Sequence, residues 1–208
     1  LDSSNTVNSS VCVRGDRIVA VESCQVESKV DLAGATVIPG FIESHGHLMS
    51  LGFSKLRLDL TTVKNLDELV GSVARAVDSA EPGEWILGRG WHQSKWAQAP
   101  EGHLNGFPTH EALSRAVPSH PVLLEHANGH SVLLNQAAMD SLGITGDSIA
   151  PEGGVIVRRN GAPTGLLHET AIKLTAPLQQ YDLKTATSLV DAAQWHLLSQ
   201  GITTAHDA

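Results

Sequence analysis

Residues 34–52 read GATVIPGFIESHGHLMSLG, and the interpretation of the whole chain starts from this stretch. The apolar residues between Val37 and Ile42 predict a buried strand whose carboxyl end carries His45 and His47. Residues two apart on a strand project to the same face, so the two imidazoles can hold one cation between them. A chain with 11 histidines contains such a pair by chance about as often as not. Two polar residues at a strand end are therefore the alternative.

The sequence outward from this stretch alternates short apolar runs with helical patterns, which is typical of an α/β fold with a mostly parallel sheet. In barrels of alternating strands and helices, the carboxyl ends of the strands form the catalytic face. The pattern predicts helices over 66–80, after Asn135 and over 184–200, strands at 85–91, 121–127 and 201–208, a long loop at 92–108, and a hairpin with an Asn-Gly turn within 144–165.

The segment before residue 39 has a different sequence pattern, one of short strands without helices. Residues 11–22 alternate apolar and polar side chains around a Gly-Asp turn and predict a hairpin, and residues 30–38 predict a short strand, a turn and a second strand. Cys12 and Cys24 are too few for a disulfide-stapled scaffold, and we expect two free thiols. Free thiols favour a reducing compartment, so the prediction for localisation is cytoplasmic.

Charge and hydropathy exclude several classes of partner. The chain carries 14 basic and 22 acidic side chains, a formal net charge of −8, which disfavours nucleic acid and anionic membranes as partners. No apolar run approaches the ~20 residues of a membrane span. The chain begins at Leu1 rather than Met and stops at Ala208 directly after a strand-like stretch, so we expect it to be part of a longer protein.

Five segments, in order along the chain, carry a resemblance to a known family. They are GATVIPGFIESHGHLMSLG (34–52), WILGRGWHQSKW (85–96), NGHSVLLNQAAMDSLGI (128–144), GGVIVRRNGAPTGLLHETA (153–171) and SQGITTAHDA (199–208). The first resembles the first barrel strand of the amidohydrolase superfamily, with its H-x-H. The other four resemble segments of amidohydrolase family 3, the YtcJ-like group that includes N-substituted formamide deformylases.

The resemblance implies an incomplete TIM-like (β/α)8 metallo-hydrolase barrel preceded by strands of a small β-sandwich domain. Residues 1–38 would supply the N-terminal strands of that composite domain. Residues 39–208 would form the first part of the barrel, with an α/β insertion at about 92–165. A full barrel typically needs ~250 residues, more than this range provides. Strand edges left open would allow a homo-oligomer.

The resemblance also implies a chemistry, which is hydrolysis of a small-molecule amide by water activated on a divalent metal, with Zn2+ expected as one or two ions. His45 and His47 are carried over as metal ligands. His130 and Trp91 are carried over as substrate-binding residues, with a locally bonded loop histidine and a core tryptophan as the alternatives. The general base and the other ligands are expected after Ala208, so no catalytic residue is assigned in this chain.

Three further side chains are weaker candidates for the site: Glu169, His206 and Asp207. The last two end a predicted strand and would point to the catalytic face if a barrel exists. Two alternative functions stay open. The chain could be a non-catalytic remnant or binding module of the same fold, or part of a cyclic amidine deaminase of the same superfamily.

Overall fold

The amino-terminal hairpin is formed as the sequence predicts. The structure, a computed structural model, describes residues 7–25, 27–179 and 182–208. Strand β1 (Val11–Arg14) pairs antiparallel with β2 (Arg17–Val21), and Gly15 takes a left-handed φ of +61° at the turn. Gly supplies this conformation without the steric cost that a Cβ would add.

Two expectations for this segment are wrong. Cys12 and Cys24 are joined by a disulfide, because the chain after β2 runs back beside β1 and brings their Cα atoms within 6.4 Å. The argument for a reducing compartment therefore loses its basis in free thiols. Residues 30–38 form a turn but no strand, since no strand in the described part of the chain pairs with them.

The remaining helices and strands confirm most of the predicted pattern. In chain order they are β3 (Phe41–Gly46), α1 (Leu48–Leu56), β4 (Leu58–Asp59), α2 (Leu66–Val77), β5 (Ile86–Trp91), α3 (Glu111–Ala116), β6 (Val122–His126), β7 (Ser131–Leu134), α4 (Gln136–Leu142), β8 (Gly154–Arg159), β9 (Ala162–Glu169), α5 (Leu183–Ser199) and β10 (Ile202–Asp207). Short 3₁₀ segments span Gln93–Lys95 and Thr170–Gln179.

Strands β3 and β10 form a parallel pair. Helix α5 contacts β10, and α1 packs against α5. The two helices touch closely at Gly52, where a Cβ would lie 2.2 Å from the backbone oxygen of Leu189, so only glycine allows this approach. Phe41 and Ile42 remain 55% and 66% exposed. The prediction of a buried strand is wrong for β3, because β10 is its one strand neighbour in the described part of the chain.

A second sheet lies between these two strands in sequence, with the order β4-β5-β6-β7-β9-β8. Strands β4, β5 and β6 are parallel, and the other three join antiparallel. Helices α2 and α3 pack over one core of the sheet, and α4 with the 3₁₀ segment after β9 packs over the other. The sheet runs from Leu58 to Glu169 and contains the whole predicted insertion, and the domain boundaries themselves remain a prediction.

A partly buried ion pair connects α1 to this second sheet. The Arg57 guanidinium follows the end of α1, donates to the Glu125 carboxylate on β6 at 3.0 Å and stacks over Phe53. Burial lowers the pKa of Arg57, and the neighbouring Glu125 opposes that shift. Across the described ranges, no helix combines the length and apolar character needed to cross a bilayer.

Candidate metal and ligand site

The two predicted metal ligands lie side by side. His45 is on β3 near its carboxyl end, and His47 is the residue directly before α1. Their ring centroids are 5.3 Å apart, with the rings inclined at 76°. Two imidazoles that share a tetrahedral Zn2+ at N distances of ~2.1 Å would have centroids about 5 Å apart. The observed spacing therefore fits two ligands of one metal.

Strand β10 brings a carboxylate to the same place. Asp207 is the register partner of Gly46, and its carboxylate accepts a hydrogen bond from the backbone N–H of Leu48 at 2.7 Å. The Nδ1 atom of His47 lies 2.7 Å from the backbone oxygen of Ala208. With Nδ1 bonded there, Nε2 is the atom of His47 that is open to a metal.

This donor set is partial. In the described ranges, no three His, Cys, Asp or Glu side chains are grouped so that they could hold a metal ion. Glu43 lies two residues before His45 on β3, and its carboxylate accepts a hydrogen bond from the backbone N–H of His45 at 3.0 Å. A catalytic zinc needs about three protein ligands with one open position. His45 and His47 fit two of these, and the structure assigns no direct role to His206.

Trp91 is in the core. It is fully buried and its indole N–H donates to the backbone oxygen of Leu124 at 3.1 Å. The ring stacks near Trp96 and meets the His126 and Phe107 rings edge to face. This packing is the core alternative that the sequence left open, and a role for Trp91 in substrate binding stays a prediction.

Two histidines lie against this aromatic cluster, His126 beside Trp91 and His168 beside Phe107. Nε2 of His126 is 2.8 Å from Gln93 Oε1, and Nδ1 of His168 is 2.8 Å from Ser131 Oγ. Removal from water lowers the pKa of both imidazoles, and the nearby His92 lowers that of His126 further.

The lowered pKa values predict a pH-dependent stability. The unfolded state takes up protons near the ordinary histidine pKa of about 6.5, while the folded state takes them up at lower pH. The contribution of these two histidines to the free energy of unfolding is therefore complete above about pH 7 and is lost as the pH drops towards about 5. In urea unfolding, the free energy of unfolding of His126→Phe should depend less steeply on pH than that of the parent chain. The control is His103→Phe, in an exposed loop, which should keep the pH dependence of the parent chain. An equally steep pH dependence in His126→Phe would contradict the lowered pKa of His126.

His130 pairs with Glu169 across two neighbouring strands. Nδ1 of His130 is 3.0 Å from Glu169 Oε2, and the backbone N–H of Glu169 donates to the His130 oxygen at 2.9 Å. Both side chains are more than half exposed and line an open depression of about 330 Å³ together with Gly129, Thr170 and Lys173. The structure thus places His130 at the surface, and its role in substrate binding remains a prediction.

Comparison with known proteins decides the family. A sequence model described as "Amidohydrolase family" matches residues 29–208, most of the chain. The chain belongs to the amidohydrolase family. The resemblance found in the sequence is thereby confirmed, and so is the fold class, a partial amidohydrolase TIM-like α/β fold.

Among amidohydrolase relatives, YtcJ of Bacillus subtilis (strain 168) is 31% identical over 86% of this chain and 33% of its own length. The N-substituted formamide deformylase of Arthrobacter pascens is 31% identical over 100% of this chain and 40% of its length. A crystal structure of an uncharacterized metal-dependent hydrolase from Pyrococcus furiosus gives a TM-score of 0.57 at 28% identity, covering 80% of this chain and 31% of that one. The chain therefore spans about a third of these relatives.

The contact between His130 and Glu169 could not be predicted from the sequence of this amidohydrolase chain. Glu169 ends β9, and its carboxylate lies 3.0 Å from Nδ1 of His130, the residue directly before β7. The signal was absent because β7 itself was not predicted. Without that strand, residues 130 and 169 have no register that brings them together.

Proposed function

We propose that this chain is the amino-terminal part of a metal-dependent hydrolase that cleaves a carbon–nitrogen bond of a small, non-peptide amide. The observation that carries the proposal is the His45–His47 pair at the carboxyl end of β3, spaced as two ligands of one metal, in a chain of the amidohydrolase family. A relative described as an N-substituted formamide deformylase supports an amide as the substrate.

Zinc is the metal we propose, since two imidazoles with a nearby carboxylate match its preference for N and O ligands. A bound zinc ion would supply a water with a pKa near ~7 and polarise the amide carbonyl. The protein's part is to orient the ligands. The strand holds His45, and the contact between His47 Nδ1 and the backbone oxygen of Ala208 leaves Nε2 as the ring nitrogen that would bind the metal. The carboxylate of Asp207 accepts a hydrogen bond from the backbone N–H of Leu48, next to His47, and would accept or hold a proton beside the histidine pair.

We expect the further ligands and the general base from the part of the relatives that this chain does not span. The alternative is a non-catalytic remnant that keeps the fold and has lost the centre. Metal binding separates the two, because a remnant has no reason to retain an affinity that depends on both imidazoles.

The test is zinc content. After equilibration with Zn2+ and desalting, the full-length gene product should retain near-stoichiometric zinc by mass spectrometry, and His45→Ala/His47→Ala should retain only background, because two ligands are removed. The control is His103→Ala/His196→Ala, which removes two imidazoles elsewhere and should leave the zinc content unchanged. Equal zinc in both double variants, or none in the full-length parent protein, would overturn the metal site.

Activity is tested on the full-length gene product with N-phenylformamide. Formate release should depend on added Zn2+ and should stop in His45→Ala/His47→Ala. Release of formate that survives both the substitution and a chelator would exclude hydrolysis at this site.

A further inference from the structure

Two residues at the end of β10 hold the three residues that join β3 to α1. The backbone N–H of Ala208 donates to the Gly46 oxygen at 2.9 Å, and the Ala208 oxygen lies 2.7 Å from Nδ1 of His47. The carboxylate of Asp207 accepts from the backbone N–H of Leu48 at 2.7 Å. The segment that carries His47 is therefore fixed on three consecutive residues by a strand from the far end of the chain.

Helix α1 has no cap from its own sequence. The first N–H groups of a helix have no acceptor within it, and the side chain of the residue just before the helix usually supplies one. His47 occupies that position without making such a hydrogen bond, and the first turn of α1 contains no acidic residue. Asp207 supplies the missing acceptor from β10, and its negative charge is favourable at the start of a helix.

An irregularity in the pairing of β3 with β10 brings the carboxylate to this place. Ala205 pairs with Glu43 and Asp207 pairs with Gly46, so a step of two residues on β10 matches a step of three on β3. Irregularities of this kind change the direction in which a side chain points and are common beside functional sites. The register therefore sets Asp207 level with the residue directly before His47.

We propose that Asp207 is a positioning residue for His47. Oδ1 of Asp207 holds the N–H of Leu48 and so fixes the peptide group that follows His47. Nδ1 of His47 then reaches the Ala208 oxygen, and because a carbonyl oxygen only accepts, Nδ1 carries the proton and Nε2 carries the lone pair.

The positioning of the ring is separate from the identity of its ligand. That Nε2 of His47 binds a metal rests on the proposed function, whereas the orientation of the ring by Asp207 does not. A proton held by Asp207 would be on Oδ2, since Oδ1 already accepts from Leu48, so the two roles use different oxygens.

The first readout is the His47 ring in the full-length gene product without metal. At about pH 8, where an ordinary imidazole is neutral, the ¹⁵N shifts of the labelled histidines should show His47 in the Nδ1–H form. His47→Gln assigns the signal. Asp207→Ala removes the acceptor and should move the ring towards a mixture of its two tautomers. Asp207→Asn keeps an oxygen that accepts from the Leu48 N–H and should restore the parent's ring.

The second readout is zinc affinity, measured by competition with a chelating dye. Loss of a group that orients a metal ligand typically weakens metal binding about ten- to hundred-fold, and we expect this loss for Asp207→Ala. Asp207→Asn should recover most of it. The control is Asp59→Ala, since Asp59 also ends a strand and accepts a backbone N–H, that of Thr61 at 2.9 Å, but in the second sheet. It should change neither the His47 ring nor the zinc affinity.

Three results would each overturn the proposal. They are an unchanged His47 ring in Asp207→Ala, a zinc affinity of Asp207→Ala equal to that of the parent, and an Asp207→Asn variant that behaves as Asp207→Ala does. The last would show that the charge or a proton of Asp207 matters rather than the hydrogen bond it accepts. A parent protein that binds no zinc would instead overturn the proposed hydrolase, while the metal-free ring measurement would still decide the role of Asp207.

Discussion

Asn135→Ala should lower the free energy of unfolding by about 3–5 kcal/mol, because one buried amide satisfies four backbone groups. Its oxygen accepts from the N–H groups of Val122 and Ala138, both at 2.9 Å. Its NH₂ donates to the oxygens of Val117 and His120, both at 2.8 Å. Asn135 is fully buried, so water cannot replace these bonds in the variant.

A second asparagine cap provides the matched control. Asn65 accepts from the backbone N–H of Glu68 at 2.7 Å at the start of α2, on the protein surface. Asn65→Ala should cost only about 1 kcal/mol, the usual value of an exposed cap. Chemical unfolding of both variants measures the difference. Equal losses would show that Asn135 acts as a cap alone and does not link α3, β6 and α4.

Trp91→Ala should destabilise the chain by about 3–5 kcal/mol, the usual cost of removing a fully buried tryptophan. The cavity left behind would lie between Trp96, Phe107 and His126, and the Leu124 oxygen would lose its donor. Those rings belong to different loops and strands and cannot close the gap together.

Trp195→Ala is the comparison for this prediction, since Trp195 is 72% exposed on α5. Surface substitutions of this kind usually change stability by less than about 0.5 kcal/mol. Thermal unfolding of the two variants, with circular dichroism of each, measures the contrast. If Trp91→Ala were as stable as Trp195→Ala, the Trp91 ring would not stabilise the core. The prediction that Trp91 binds the substrate would then be favoured again.

Much of the fold could be predicted where local chemistry is specific. Asn65 and Asn135 cap helices as their position before a helical pattern indicates, and Gly143 ends α4 with a left-handed φ of +67°. The turn at Asn160 and Gly161 joins β8 to β9 because both residues accept positive φ. These signals involve neighbouring residues only, so one sequence is enough to show them.

The predictions failed where structure depends on distant partners. Strand β7 has four residues between a turn and a helix cap, too few to show a periodic pattern. The disulfide depends on the return of the chain beside β1, which no spacing rule specifies. Residues 30–38 were expected to form two short strands and β3 to be buried, but the sequence pattern does not show whether the neighbouring strands that both need are present.

The candidate site divides in the same way. The pairing of His45 with His47 follows from the period of a strand and was predictable. Asp207 joins them through the parallel register of β3 and β10, which the sequence suggested only through the barrel. The contact between His130 and Glu169 requires the β7–β9 register and was found only in the structure.

The pairing of β3 with β10 also sets an order of folding. Phe41 meets Ile202 only after about 160 intervening residues, a loop whose closure is slow unless structure shortens it. The second sheet lies within that loop and is built mainly from strands close in sequence, so we expect it to form first and to bring the two ends together. Until then the apolar residues of β3 have no strand neighbour, and we expect this strand to be the one most exposed to wrong pairing during synthesis. The carboxylate of Asp207 would then reach the histidine pair late, and the proposed zinc site would be completed at the end of folding rather than at its start.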